Sequence, residues 1–245
     1  MKNAEIPGLT KPLTLEDLQD SRAIYNELPD DAAQPVIPQA HIEALSALFV
    51  RHGVHDIFGI HLIHAHFKVP AQSILLGSNY DQPPCRWAKT TTTTDIDLSS
   101  IHGHIFVHRN DGFHAYEYQQ GPPPNLSNVG DTFFQELAHY LAANDLSNFL
   151  GLQIIDANPT SMLELILPQA TVMLRITDVS GCISTRQTGW RFEMEQGKVR
   201  VCQANESHGQ KANTHEIYNK GDAHPRMETY EDLKKALVQF GILCA

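Results

Sequence analysis

The chain has 245 residues, 42% of them hydrophobic, enough for a substantial core without covalent staples, and it reads as a single domain over residues 1–245. Its 28 acidic and 18 basic side chains give a formal net charge of -10, which excludes a partner held by phosphate neutralisation, so no nucleic acid is expected. Cys85, Cys182, Cys202 and Cys244 form no Cys-x-x-Cys pair and no run reaches the roughly 20 apolar residues of a membrane span, so a cytoplasmic location and no membrane partner are the expectation.

Residues 1–55 read as a helical N-terminal segment. In "TLEDLQDSRAIYNEL", Thr14 precedes Asp17 by three, a variant of the capping box, and Leu15, Leu18, Ile24, Tyr25 and Leu28 recur at helical intervals. A second amphipathic helix, "QAHIEALSALFVRHG", places Ile42, Leu45, Leu48 and Phe49 on one face and stops at Gly53.

From residue 56 to 120 the period changes to two. "IFGIHLIHAHFKV" is rich in β-branched and aromatic residues and reads as a strand; "SILLGS" is a short second one. "DQPPCRWAKTTTTTDIDLSS" reads as a long loop, with Trp87 as its apolar anchor. "IHGHIFVHRNDGFHAYEY" is a hairpin around Asp111-Gly112. After a proline-rich loop, "TFFQELAHYLAANDL" gives a helix over 131–145, capped by Asp131 or Thr132.

A second group of strands occupies 150–204, in "FLGLQIID", "SMLELILP", "ATVMLRIT", "GWRFEMEQ" and "KVRVCQA", with turns at Pro168-Gln169 and Gln196-Gly197. "NESHGQKANTHEIYNKGDAHPR" reads as irregular. A last helix over 229–240 opens with Thr229 three before Asp232 and stops at Gly241. These elements predict an α+β fold, a largely antiparallel curved sheet or barrel with N-terminal, central and C-terminal helices.

Seven of the 14 histidines fall between His61 and His114. Strand alternation puts His64 and His66 on one face with His61 opposite, and gives His102, His104 and His108 a shared face. Two adjacent strands each offering His-x-His would bring four imidazoles together. His64, His66, His102 and His104 are therefore the expected ligands of a divalent transition metal such as zinc, iron or copper. "GIHLIHAH" resembles the first metal motif of the cupins over about eight residues; "FKVPAQSILLG" then lacks that motif's glutamate and no Pro-x-Gly precedes a later histidine, so no family follows from it.

Carboxylates come from elsewhere. A two-residue Asp111-Gly112 turn would put Glu117 opposite Phe106 on the face of His104 and His108; a three-residue turn would put His114, Tyr116 and Tyr118 there instead. Glu164 interrupts "MLELIL", where a lone charge is costly, and Arg175 across the Pro168 turn is its structural partner in the plain reading. Glu117, Glu164 and His114 are thus the acid/base candidates, while His41, His52, His55, His139, His208, His215 and His224 fall by default to helix ends and surface loops.

The function expected is a metal-dependent enzyme acting on a small organic molecule. Two alternatives stand beside it: a metal-free His/Glu isomerase, cyclase or dehydratase, and a non-catalytic carrier of a small molecule or haem. No nucleotide-binding glycine loop, nucleophile elbow or His-Glu-x-x-His motif is present.

Overall fold

The computed structural model describes residues 5–109, 111–155, 161–202, 206–211, 214–218 and 227–244. Helices α1 (Leu15–Glu27) and α4 (Tyr230–Gln239) both begin with the expected capping box, Thr14 with Asp17 and Thr229 with Asp232. Helix α2 (Gln39–Arg51) buries the predicted stripe of Ile42, Leu45, Leu48 and Phe49. Helix α3 (Asp131–Ala143) starts after Gly130 with no side-chain cap, so neither Asp131 nor Thr132 takes that role.

Among the described residues, twelve strands form one mostly antiparallel sheet: β1 (Phe58–Leu62), β2 (Ser73–Asp81), β3 (Pro84–Thr92), β4 (Ile101–Arg109), β5 (Gly112–Gln120), β6 (Leu150–Ile154), β7 (Met162–Leu167), β8 (Ala170–Arg175), β9 (Cys182–Gln187), β10 (Gly189–Glu195), β11 (Lys198–Cys202) and β12 (Glu206–Lys211). Their order across the sheet is β11-β10-β1-β6-β4-β5-β2-β3-β8-β7-β12-β9. The fold is of the α+β class with helices at the N-terminus, centre and C-terminus, and the sheet is curved rather than closed into a barrel.

Helices cover one face. Phe58, Ile60 and Leu62 of β1, with Leu150, Leu152 and Ile154 of β6, share a core with α2 and α3. Helix α4 lays Leu233 and Leu237 on Trp87, Leu165 and Val172. Strand alternation then turns His61, Arg86, Glu117, Gln119, Gln153, Glu164, Glu206 and His208 to the opposite face, and every one of them is buried or half-buried.

Curvature is forced by what that inner face does. Strand β1 is third in the order and β7 and β12 are tenth and eleventh, which in a flat sheet would separate β1 from β7 by about 34 Å at about 4.8 Å per strand. Side chains from these two regions nevertheless lie within hydrogen-bond reach of each other. The two ends of the sheet are stitched at Thr188, between β9 and β10: its carbonyl accepts from Leu62 N at 2.7 Å and its N–H donates to the Glu206 carbonyl at 3.0 Å.

Three strands depart from the sequence reading. The expected loop after Asp81 is β3, in which Cys85 and Trp87 face the helices while Arg86 and Ala88 face inward, and the threonine run pairs with β2 from Thr90 to Thr92. The polar stretch after 203 contains β12, parallel to β7 and antiparallel to β9. Strand β9 itself was not expected. Conversely, β1 stops at Leu62 instead of running to Val69: Ile63 N still reaches Phe149 O at 2.9 Å, but Ala65 N bonds to Pro29 O, and the chain leaves the sheet.

Candidate metal centre

His64 and His66 lie just past the end of β1, where the backbone has left the sheet, so strand alternation does not set their direction. Their rings still converge, with centroids 4.7 Å apart. Glu164 enters from β7 and His208 from β12, which are neighbours in register: His208 is paired with Glu164 across the parallel ladder. One donor atom from each of His64, His66, Glu164 and His208 lies within 4.8 Å of all the others.

Four of the separations within this group are short. Glu164 Oε2 is 3.2 Å from His66 Nε2, 3.2 Å from His208 Nε2 and 3.6 Å from His64 Nε2. His64 Nε2 and His208 Nε2 are 2.9 Å apart. Donors held about 2.1 Å from a common ion stand roughly 3.0 to 3.4 Å apart at octahedral or tetrahedral angles.

Outer contacts fix which nitrogen of two rings faces the centre. His64 Nδ1 donates to the Leu62 carbonyl at 2.6 Å, leaving Nε2 with its lone pair. His208 Nδ1 donates to Asp31 Oδ2 at 2.8 Å, the carboxylate–histidine arrangement that orients metal-bound imidazoles. Asp31 opens the short 3-10 turn 31–33 that follows α1. His66 differs: its Nδ1 is buried with no hydrogen-bond partner, and its backbone N–H points at the Tyr25 hydroxyl 3.4 Å away.

The charges follow from these contacts. Burial opposes a charge on His208, but Asp31 and Glu164 outweigh it and raise its pKa to about 9. Burial, reinforced by the charges of His66 and His208 against the Glu164 contact, lowers His64 to about 3. Glu164 is pushed up by burial yet held well below the usual carboxylate range by the three imidazoles around it. Two ring nitrogens 2.9 Å apart need a proton between them, and a cationic His208 donating from Nε2 to a neutral His64 supplies it. That proton sits where a shared cation would.

His215, at the far side of the cluster, stacks on His208 with centroids 4.1 Å apart and lies 5.1 Å from the His66 ring. Its Nδ1 donates to the Gly209 carbonyl at 2.7 Å, and Nε2 is buried without a partner. Burial and the His208 charge hold it neutral, at about 4. On the other side His61 stacks on His64 at 5.2 Å and meets Glu206 Oε2 at 3.3 Å, while Gln153 donates to Glu206 Oε1 at 2.7 Å.

Of the seven expected site residues, His64, His66 and Glu164 meet and the other four do not join them. His102 Nδ1 donates to the Gly121 carbonyl at 2.8 Å, and His104 lies beside it in a groove on β4. The hairpin register pairs Arg109 with Gly112, so Gly112 already belongs to β5 and Asp111-Gly112 is not the turn pair. A register shift between Ile105 and Phe106 then pairs Glu117 with Ile105, not Phe106, and its carboxylate is bound by Arg86 at 3.2 Å through both terminal nitrogens. His114 sits at the hairpin tip, 2.9 Å from Asp111. Arg175 pairs with Met162, and Glu164 pairs with Met173, so the expected Glu164–Arg175 ion pair does not form.

His208 and His215 correct the default assignment to surface loops, and Asp31 was not anticipated at all. His224 lies outside the described residues. One signal for His208 was present: Glu206 and His208 alternate, as two inward positions of a strand do. Comparison of the chain with protein-family models, with curated proteins and with solved structures finds no match to any of them. What fold and site define together is an α+β protein whose curled sheet encloses a buried group of three histidines and one glutamate.

Proposed function

We propose that the protein is a metal-dependent enzyme acting on a small organic molecule, with a divalent transition metal held by His64, His66, Glu164 and His208. The observation that carries this reading is the convergence of those four donors within 4.8 Å of one another from three separate segments of the chain. Support comes also from the outer contacts: Leu62 O and Asp31 engage the Nδ1 atoms, which turns Nε2 of His64 and His208 toward Glu164 and each other, where an ion would displace the proton they share. Imidazole nitrogens with one carboxylate suit zinc, iron, copper or nickel.

Four protein donors complete a tetrahedral shell and leave two positions in an octahedral one, so the catalytic reading favours an ion that accepts six ligands. Such an ion would polarise a carbonyl or activate water or dioxygen. Around it the chain supplies a site shut off from bulk water, with neutral His215 beside the ligands and Glu206 with His61 adjoining His64. The protein's membrane relationship rests on one fact: no helix among the described residues is long and apolar enough to cross a bilayer.

The test is metal content. Protein purified from metal-replete medium should carry about one ion per chain, and His66→Ala combined with Glu164→Gln should remove it while the circular dichroism of the fold persists. Absence of stoichiometric metal, with uptake of zinc, iron and manganese unchanged by the double substitution, would refute the proposal. Substrate turnover that survives exhaustive chelation would point instead to metal-free acid/base chemistry.

A further inference from the structure

A groove of about 450 Å³ opens between β4, the end of β5 and the end of β6, on residues that the metal cluster does not use. That volume falls within the roughly 300–1,000 Å³ of small-molecule sites. Its lining is unusual for so acidic a chain: among the described residues, no Asp, Glu, Lys or Arg contributes to it. Ser78, His104, Gln119 and Gln120 supply polar atoms, and Ile154 and Ile155 supply an apolar wall.

His104 is the centre of this site. It is the extra residue of a β-bulge, since Gly103 pairs with Tyr118 and Ile105 with Glu117, and bulges re-aim side chains beside functional sites. It is 4% exposed, and its Nε2 is buried with no hydrogen-bond partner among the described residues. A buried imidazole left unpaired costs free energy that a ligand or water would recover. Burial, with the charges of Arg86 and His102, holds it neutral, so it offers one donor and one acceptor rather than a cation.

Gln119 is pre-set in the same way. Arg86 Nε donates to its Oε1 at 2.9 Å, which fixes the amide so that its NH2 remains to donate. Arg86 itself is held by Glu117, Gln119 and the Tyr118 carbonyl, and Gly77 lacks the Cβ that would strike its guanidinium at 2.6 Å. Arg86, a buried cation near the groove, is thus neutralised behind it. A charged ligand would find no counter-charge in the lining, whereas a molecule carrying hydroxyls on one face and C–H groups on another matches both walls.

We propose that this groove binds a neutral, hydroxyl-rich small molecule of the monosaccharide or polyol class, with His104 and Gln119 as its hydrogen-bonding partners. The inference goes beyond the metal reading and does not depend on it. The experiment is calorimetric titration and saturation-transfer NMR on the full chain with D-glucose, D-mannose and D-mannitol, and with D-glucuronate and D-glucosamine as charged counterparts. At least one neutral probe should bind with a Kd of about 10 mM or tighter, and its charged counterparts at least about tenfold more weakly.

His104→Leu should weaken the neutral probe by about tenfold or more. Gln120→Trp, a change at an exposed rim position that fills the groove, should abolish binding and keeps the test decisive where His104→Leu does not fold. His66→Ala should leave sugar binding intact while removing metal. No binding of any neutral probe, equal binding of the charged ones, or binding that survives Gln120→Trp would each overturn the proposal.

Discussion

At the residue scale, the cluster is held by a balance between burial, which disfavours charge, and contacts that restore it. Asp31 is pushed up by burial but drawn below its ordinary value by His208, while His208 is raised to about 9. In metal-free protein each partner contributes stability over a different range. The raised histidine contributes fully below its unfolded value of about 6.5 and loses that contribution as pH climbs through about 9. The depressed carboxylate contributes above about 3.9 and loses it as pH falls further. Thermal melts of the apo protein should therefore show a pair contribution that is greatest between about pH 4 and 6.5 and fades above it; Asp31→Asn should flatten that fall. A second outcome belongs to the same contact. Asp31→Asn should weaken zinc binding by about 10- to 100-fold without removing a ligand, read by competition with a chromophoric chelator. An unchanged affinity would mean that Asp31 does not orient His208 in the bound state.

At the element scale, the sheet depends on close approaches that only glycine permits. A Cβ added to Gly151 of β6 would run into the Phe106 carbonyl of β4, a backbone atom that cannot swing aside. Gly151→Ala should cost about 1–3 kcal/mol in urea unfolding, against near neutrality for Gly130→Ala, whose Cβ meets only Thr132 Oγ1 at 3.5 Å. Elements with an apolar outward face were legible in the sequence for the same reason that they fold: α2, β6, β7, β8 and β10 carry their periodicity in Ile, Leu and Phe. Strand β12 was not, because its inward residues are Glu206 and His208 and its outward ones are Ser207 and Gly209, leaving no hydrophobic alternation to read. Strand β3 did alternate, Cys85 and Trp87 against Arg86, but the flanking prolines and threonines disguised it. Three of the four residues of the cluster were accordingly visible. His64, His66 and Glu164 stood out as polar residues in apolar strands, while His208 hid in a strand that is polar throughout.

At the scale of the whole molecule, the cluster joins parts of the sheet that hydrogen bonding in the ladder does not. His64 and His66 follow β1, whereas Glu164 and His208 belong to strands seven and eight places further along the order. Three of these four side chains are buried and the fourth nearly so, and without a shared cation the contact relies on one proton and on Glu164. An ion that binds the folded chain alone adds about 2.7 kcal/mol at a hundredfold excess over its Kd and about 4.1 kcal/mol at a thousandfold excess. That gain is local to the seam between the β1 end and the β7–β12–β9 end, because those segments supply every ligand. Hydrogen exchange should therefore slow on metal addition chiefly in 61–67 and 206–211 and in β9, which hangs on β12 as the sheet edge, with β4 and β5 near the middle of the order little changed. The His66→Ala, Glu164→Gln double variant should lose the whole effect. Uniform slowing across the sheet, or slowing confined to the β4–β5 hairpin, would mean that the ion binds elsewhere and that the curl of the sheet is maintained by the Thr188 hydrogen bonds and the apolar outer cores.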